Sequence, residues 1–305
     1  MTFSDPSISK MKAFDPDFYE SQLAVEAFEM PSEIRLRLTP EANTLISRHG
    51  CIKFKLDTYP GIDNESTTIN YDDSNVYVGQ HTVDVGKSVR QGKGYLMKNK
   101  NVYAGYFNGD KFEGPGTLIY HDDEETYHYF GYWKNDVLNS KGVVHYLSGY
   151  IYRGDFQDNI PHGCGEERWP DNSTYKGDFK QGYKWGHGDL RWHTRSQRYV
   201  GQFREGDIEG HGSFECKNGD RYEGEWLNNV MHGRGVFVWN DGLEYDGEYV
   251  NGKKEGYGSI GKNGECLWEG FWKNGIRHGK GYHYSANGER TVGYWEDDQL
   301  IASKQ

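Results

Sequence analysis

Residues 222–235, with the sequence YEGEWLNNVMHGRG, set the pattern on which most of the chain is built. Tyr222 is followed by a glycine two residues later and by a tryptophan four residues later. The glycine pair Gly233 and Gly235 closes the stretch. The same layout begins at Tyr199 and at Tyr245, so the three copies are 23 residues apart. Self-similarity at a fixed period of a few tens of residues indicates a repeat architecture.

Ten copies of this layout, called units below, follow one another from residue 77 onward. The units begin at Tyr77, Tyr103, Tyr129, Tyr152, Tyr175, Tyr199, Tyr222, Tyr245, Trp268 and Thr291. Glycine stands two residues later in all of them, and an aromatic residue stands four residues later in all but the first, which has His81. The third unit has Ser140 in place of the first glycine of the closing pair. Atypical terminal units are expected of capping repeats.

Each unit reads as a β-hairpin. Tyr222, Gly224 and Trp226 have a period of two, so they share one face of a strand. A second strand is predicted over residues 233–239. Asp-Gly and Asn-Gly pairs, such as Asp241-Gly242, are strong hairpin-turn signals because both residues accept positive φ. Residues 227–232 are predicted to be a connecting loop.

The strand glycines need a physical reason, because glycine ordinarily weakens a strand. We infer that they leave room for aromatic rings of neighbouring strands to lie over bare backbone. The predicted fold is therefore mainly β: an elongated, twisted single-layer antiparallel sheet of about nine to ten hairpins.

The chain before the repeats has mixed patterns. Residues 17–30 have helical spacing, residues 34–38 and 51–56 alternate like strands, and residues 57–76 are rich in turn formers. Thr39-Pro40-Glu41 is a helix start signal, with Gly50 at the expected end. We predict an N-terminal arm and small α/β capping segment over 1–76, the repeat array over 77–298 and a short tail over 299–305.

Composition excludes several classes of protein. The net charge is −11 and no basic block occurs, which argues against nucleic acid as a partner. The four cysteines occupy different columns of the repeat without a CxxC pair, so neither a disulfide framework nor a zinc site is expected. The N-terminus lacks an apolar signal core. These features together predict a cytoplasmic protein.

Motifs that carry catalytic chemistry are not found. His162, His232 and His278 share one column, but His232 and His278 are two units apart, about 20 Å at the strand spacing of a sheet, which is too far to share a metal ion. The glycine-rich runs lack the lysine and hydroxyl residue of a phosphate loop. We expect no catalytic residue, no metal and no cofactor.

The aromatic face has two interpretations. Its side chains, among them Tyr152, Phe156, Tyr175, Phe179, Tyr222 and Trp226, are expected to form the core of the ribbon. Because a one-layer sheet cannot cover both of its faces, the aromatic face is also the predicted partner-binding groove, suited to a helix or an extended peptide. Its predicted residues are Tyr152, Phe156, Trp169, Tyr175, Phe179, Trp192, Tyr199, Phe203, Tyr222, Trp226, Trp239, Tyr245 and Tyr249. The acidic run Asp122, Asp123, Glu124 and Glu125 is a second candidate contact, as an exposed loop. Open strand edges at the ends of the array are candidates for self-association.

The pattern YxGxW, a glycine pair and an Asn/Asp-Gly turn at a 23-residue spacing resembles the MORN repeat from Tyr77 to about Trp295. The resemblance implies a non-enzymatic scaffold or assembly subunit. As a stand-alone repeat protein of this size, the chain resembles the radial spoke head and related axonemal proteins of motile cilia. This resemblance implies a cytoskeletal location in the cilium. An alternative function is a membrane-associated adaptor that binds acidic phospholipids. Only a few basic residues, Lys98, Lys100, Lys253 and Lys254, are candidates to contact the lipid headgroups. An enzyme is the third reading, and no motif supports it.

Overall fold

The computed structural model describes residues 30–35, 37–49, 63–72, 74–121 and 125–304. The chain divides into two compact units, which we call the N-terminal and C-terminal modules, after Gly165. Within each module, successive strands pair antiparallel, as in the register that joins Tyr222 to Phe237. The prediction of a mainly β, antiparallel fold built from hairpin repeats is confirmed.

The N-terminal module contains two helices and the first strands. The helices are α1 (Ser32–Arg35) and α2 (Pro40–His49). The strands are β1 (Asp63–Asp72), β2 (Asn75–Asp84), β3 (Lys87–Lys98), β4 (Asn101–Asn108), β5 (Lys111–His121), β6 (Thr126–Lys134), β7 (Val137–Tyr146) and β8 (Ile151–Gln157). Strand β9 (Ile160–Arg168) contains the division between the modules.

Residues of the helical segment pack against the sheet of the N-terminal module. Ile34 is fully buried, and its cluster joins Met30 to sheet residues. The sheet residues are Val76, Tyr95, Met97, Val102 and Ala104. Apolar side chains at these positions of β2, β3 and β4 therefore have a second layer over them, so the sheet is not single-layered here.

The predicted start and end of the second helix are confirmed. Thr39 caps α2, because its Oγ1 accepts a hydrogen bond from the amide of Ala42 at 3.2 Å. Pro40 is the first helical residue, and the helix ends at His49, one residue before Gly50.

The predicted strand over residues 34–38 is wrong, because Ile34 lies in α1. The amide of Arg35 donates to the carbonyl of Pro31 at 2.9 Å, which closes a helical turn. Five alternating residues fit a strand and a helical turn equally well, and packing of Ile34 against the sheet decides between them. Strand β1 lies within the stretch predicted to be turns. The predicted helix over 17–30, apart from Met30, and the predicted strand over 51–56 lie outside the described residues.

The C-terminal module consists of strands and turns, with no helix in residues 166–304. Its strands are β10 (Thr174–Lys180), β11 (Tyr183–Trp192), β12 (Gln197–Arg204), β13 (Asp207–Glu215), β14 (Arg221–Leu227), β15 (Val230–Val238), β16 (Leu243–Val250), β17 (Lys253–Lys262), β18 (Glu265–Lys273), β19 (Ile276–Tyr284), β20 (Arg290–Glu296) and β21 (Gln299–Lys304). Residues 299–304 of the predicted short tail form β21 and pair with β20.

The predicted loop over residues 227–232 is also wrong. Strand β14 ends at Leu227 and β15 begins at Val230, so only Asn228 and Asn229 form the turn. Their φ angles are 49° and 67°, the left-handed values that a two-residue type I′ turn requires. The predicted turn at Asp241-Gly242 is confirmed, since the amide of Gly242 donates to the carbonyl of Trp239 at 3.0 Å. Tight turns therefore occur at both ends of the strands.

Ser140 is strained at a position where eight other units have glycine. Its φ is 71°, and the corresponding Gly233 has a φ of 59°. We expect Ser140→Gly to raise the free energy of unfolding by about 1 kcal/mol, because glycine has no Cβ to clash in the left-handed region. Ser140→Ala keeps the Cβ and should bring no such gain. Denaturant titrations compare the three proteins, and equal stabilities of the glycine and alanine variants would contradict this prediction.

Candidate partner-binding face

In seven of the ten units, the tyrosine that begins the unit lies over two glycines. Tyr222 is buried, and its hydroxyl donates to the carbonyl of Glu225 at 3.0 Å. Gly224 and Gly235 face each other across β14 and β15. A Cβ on Gly224 would lie 2.6 Å from the Tyr222 hydroxyl, and a Cβ on Gly235 would lie closer still. The glycines make room for rings, as inferred from the sequence, and each ring covers a glycine of its own strand as well as one of the neighbouring strand.

The same hydrogen bond recurs along the chain. The equivalent donor and acceptor residues are Tyr77 and Gln80, Tyr103 and Tyr106, Tyr152 and Asp155, Tyr175 and Asp178, Tyr199 and Gln202, and Tyr245 and Glu248. Burial raises the pKa of Tyr222, and the charge of Glu225 raises it further. The hydroxyl therefore remains a hydrogen-bond donor at neutral pH.

Edge-to-face contacts join the rings of successive units. The ring of Tyr222 lies 5.2 Å from that of Trp226 and 5.3 Å from that of Tyr249, in nearly perpendicular planes. Such pairs contribute about 1 kcal/mol beyond the area that they bury. Trp226 also donates from Nε1 to the carbonyl of Gly212 at 3.1 Å. The rings therefore form the core of the C-terminal module without a second layer.

Glu225 has a structural role that the sequence reading missed. Its Oε1 accepts a hydrogen bond from the amide of Arg234 at 3.3 Å, next to the left-handed Gly233. The carboxylate thus provides an acceptor for a backbone amide that lies where the pairing of β14 and β15 departs from regular register. The sequence does contain a signal for this role. The position three residues after the start of the unit has a carboxylate or carboxamide in six units: Gln80, Asp155, Asp178, Gln202, Glu225 and Glu248.

Most of the residues predicted for the partner-binding groove are buried in the structure. Ten of its residues are buried within the chain, each at most 9% exposed. They are Tyr152, Phe156, Tyr175, Phe179, Tyr199, Phe203, Tyr222, Trp226, Tyr245 and Tyr249. Edge-to-face packing and the overlying tyrosine rings cover these side chains, so they offer little surface to a partner. Of the predicted acidic loop, only Glu125 is among the described residues.

Three predicted groove residues remain half-buried: Trp169, Trp192 and Trp239. We call them the tryptophan rim. Trp239 directly follows β15, and its ring centroid lies 4.8 Å from that of Phe237. Trp192 meets Phe214 edge to face at 6.2 Å. The rim therefore has one side against the buried core and another side open to solvent, which suits a partner contact.

A lysine meets the rim at Trp169. The ammonium of Lys184 lies 4.9 Å from the ring centroid of Trp169 and 5.2 Å from that of Tyr175. It also forms an ion pair with Glu167 at 2.8 Å. Glu167 is only 8% exposed, so this is a largely buried pair. We call these four residues the first lysine box.

An equivalent arrangement recurs three units later, at Trp239. The ammonium of Lys254 lies 4.8 Å from the ring centroids of Trp239 and Tyr245, and 4.6 Å from that of Trp272. Burial lowers the pKa of Lys254. Phe237 occupies the position that Glu167 has in the first box. We call Lys254, Phe237, Trp239, Tyr245 and Trp272 the second lysine box.

The described residues contain no group of three or more His, Cys, Asp or Glu side chains that could hold a metal ion. No helix in the described part of the chain is both long enough and apolar enough to cross a membrane.

Comparison with known proteins identifies the repeat. The model of the family described as MORN repeat matches residues 103–124, 129–149, 152–174, 175–197, 199–221, 222–244, 245–265 and 268–290. The chain belongs to the MORN-repeat family. The MORN matches begin at the same aromatic residues as the second to ninth units. The units that begin at Tyr77 and Thr291 lie outside the matched residues.

The chain is also similar to part of a much longer protein. It is 35% identical over 81 residues to Alsin of Rattus norvegicus and 33% identical over 81 residues to Alsin of Homo sapiens. Each match covers 24% of this chain and 5% of Alsin. The similarity is therefore confined to a short stretch of that relative.

Two solved structures have distant likeness to this MORN protein. One is the SAS-4 TCP domain of Drosophila melanogaster in complex with a proline-rich motif of Ana2, with a TM-score of 0.31, 6% identity, and coverage of 54% of this chain and 85% of that one. The other is the TCP10 domain of Danio rerio CPAP in complex with a STIL peptide, with a TM-score of 0.33, 11% identity, and coverage of 79% and 99%.

Proposed function

We propose that this MORN protein is a non-enzymatic scaffold subunit that binds a partner protein along the tryptophan rim. The observation that carries the proposal is the half-burial of Trp169, Trp192 and Trp239, beside a core whose other aromatic rings are covered. Tryptophan is enriched among the residues that dominate binding energy at interfaces. A helix or an extended peptide is the shape of partner that a row of such side chains suits.

The assembly that we propose is the axoneme of a motile cilium, with this chain in a role similar to that of a radial spoke head subunit. The support is the resemblance of the repeat array to such subunits. An epitope-tagged chain expressed in ciliated cells should co-purify with axonemal proteins and lie along the cilium. Exclusive recovery from another compartment would refute this location and leave the scaffold proposal standing.

A triple variant tests the tryptophan rim. We expect Trp169→Ser, Trp192→Ser and Trp239→Ser together to reduce recovery of co-purifying partners at least about tenfold, since buried tryptophans at interfaces contribute more than about 2 kcal/mol each. The matched control replaces Tyr257, Phe271 and Tyr294 with serine. These are 41%, 50% and 44% exposed, and Phe271 lies on the opposite face of β18 from the buried Trp272.

Circular dichroism should first show that both triple variants remain folded. A role for the rim would be contradicted if only the control variant lost its partners. It would also be contradicted if the wild type and both triple variants recovered partners equally well.

Binding to acidic phospholipids is the alternative function, and vesicle sedimentation distinguishes it from binding to a partner protein. Lys98, Lys100 and Lys253 are exposed, whereas Lys254 is enclosed by aromatic rings. We expect little sedimentation with vesicles that contain phosphoinositides, because the accessible basic groups are few. Sedimentation that rises with phosphoinositide content and falls with salt would favour the membrane function instead.

A further inference from the structure

The two lysine boxes differ in one side chain, and that difference determines how the ammonium is neutralised. In the first box, Lys184 pairs with Glu167 at 2.8 Å. In the second box, the aligned position is Phe237, and no carboxylate of the described chain lies within ion-pair distance of Lys254. A partly buried cation costs free energy unless an opposite charge or hydrogen-bond acceptors compensate for the lost water.

Neighbouring acids do not supply the missing charge. Asp298 is the carboxylate whose charge acts on Lys254, but it is engaged by Arg277 at 2.9 Å. Arg277 donates to Asp298 through its backbone amide as well as its guanidinium. The aromatic rings of Trp239, Tyr245 and Trp272 attract the ammonium by cation–π interaction, but rings do not replace an anion that accepts its N–H groups.

We propose that the second lysine box binds an acidic side chain of a partner peptide, whose carboxylate takes the place that Glu167 occupies in the first box. This inference rests on the proposed function, because Trp239 belongs both to the rim and to the box. Glu167 shows that a carboxylate fits beside a lysine, a tryptophan and a tyrosine arranged in this way. Phe237 and Trp239, both half-buried, would contact the apolar residues that flank the acid.

The partner is therefore a peptide segment with a glutamate or aspartate next to apolar residues. The first box is already filled from within the chain, so it does not compete for the same group. A charge-assisted hydrogen bond in such a setting is worth more than one between neutral groups, so the acid should contribute clearly to affinity.

Phe237→Glu tests whether the box accepts a carboxylate. The substitution places a carboxylate in the second lysine box, at the position that Glu167 occupies in the first. We expect the pKa of Lys254, followed by nuclear magnetic resonance of the lysine side-chain carbons in the folded full chain, to be higher in the variant than in the wild type. The reason is that a nearby negative charge favours the protonated amine. An unchanged Lys254 pKa in the folded variant would show that the box has no place for a carboxylate and would overturn the inference.

A displayed library of random peptides, selected on the immobilised full chain, tests the ligand. We expect the retained peptides to share an acidic residue, and Lys254→Met and Phe237→Glu each to weaken their binding about tenfold or more. Lys253→Met is the matched control, because it removes the same charge from an exposed neighbour and should leave binding nearly unchanged.

The outcomes separate the two proposals. Peptides that need the tryptophan rim but no acid would overturn the acidic-ligand inference alone. Equal losses in the Lys253 and Lys254 variants would also overturn it, since they indicate general charge attraction. Failure to retain any peptide would overturn both proposals. Vesicle binding that depends on Lys254 would replace the peptide with a membrane phosphate as the ligand.

Discussion

Gly224→Ala should lower the free energy of unfolding by about 3 kcal/mol or more, because the new methyl group has no space. It would lie 2.5 Å from the Cα of Gly235 and 2.6 Å from the carbonyl oxygen of Arg234. Both atoms belong to the backbone of the paired strand, which cannot move away without breaking the ladder between β14 and β15. Tyr222, also within 2.6 Å, would have to leave its place as well.

Gly252→Asn is the control for this prediction. Gly252 is the second residue of the turn between β16 and β17, and the corresponding turn of the preceding unit has Asn229 there. Both residues have left-handed φ, at 77° and 67°, and nothing lies close to a Cβ on Gly252. Denaturant titration should give a change below about 0.5 kcal/mol for the control, as for most surface substitutions. A Gly224→Ala protein as stable as the control would show that the glycine column is not required by packing.

Tyr222→Ala should lower the free energy of unfolding by about 4 kcal/mol, the middle of the range for removal of a buried aromatic ring. The ring covers Gly224 and Gly235, contacts Trp226 and Tyr249 edge to face, and is 1% exposed. With glycine at both covered positions, no neighbouring side chain can fill the space that the ring leaves. Chemical or thermal unfolding followed by circular dichroism measures the loss.

Two further substitutions separate the contributions of the Tyr222 ring and hydroxyl. Tyr222→Phe keeps the ring and removes the hydrogen bond to Glu225, so the expected loss is about 1 kcal/mol. Tyr257→Ala removes a ring that is 41% exposed, and its loss should be well below that of Tyr222→Ala. Similar losses for the alanine variants of Tyr222 and Tyr257 would argue that the tyrosine column is not the core.

Much of the fold followed from local chemistry. The spacing of Tyr222, Gly224 and Trp226 placed them on one face, and the structure shows all three buried while Glu223 and Glu225 are exposed. Asp241-Gly242 was recognised as a turn because glycine accepts positive φ without strain. Asn228-Asn229 was not recognised, because asparagine pairs are a weaker signal than Asn-Gly for the same conformation.

The candidate site was only partly predictable. The aromatic residues were identified, but their accessibility depends on neighbours from other units, such as Tyr249 beside Tyr222. The lysine boxes were missed because Lys184 in β11 meets Glu167 in β9 across the intervening strand β10, so the residues that share a box come from different hairpins. A period-based alignment reveals which columns repeat, but not which columns contact one another.

The sequence by itself determined the repeat, its antiparallel hairpins and the need for glycine beneath tyrosine, because these depend on residues at fixed short spacings. Tertiary structure decided which aromatic rings are buried and that Trp169, Trp192 and Trp239 remain half-buried. It also decided that Glu167 neutralises Lys184 while Lys254 has only rings around it. Burial and charge pairing are set by the register between strands, and that register brings together side chains that local patterns cannot relate.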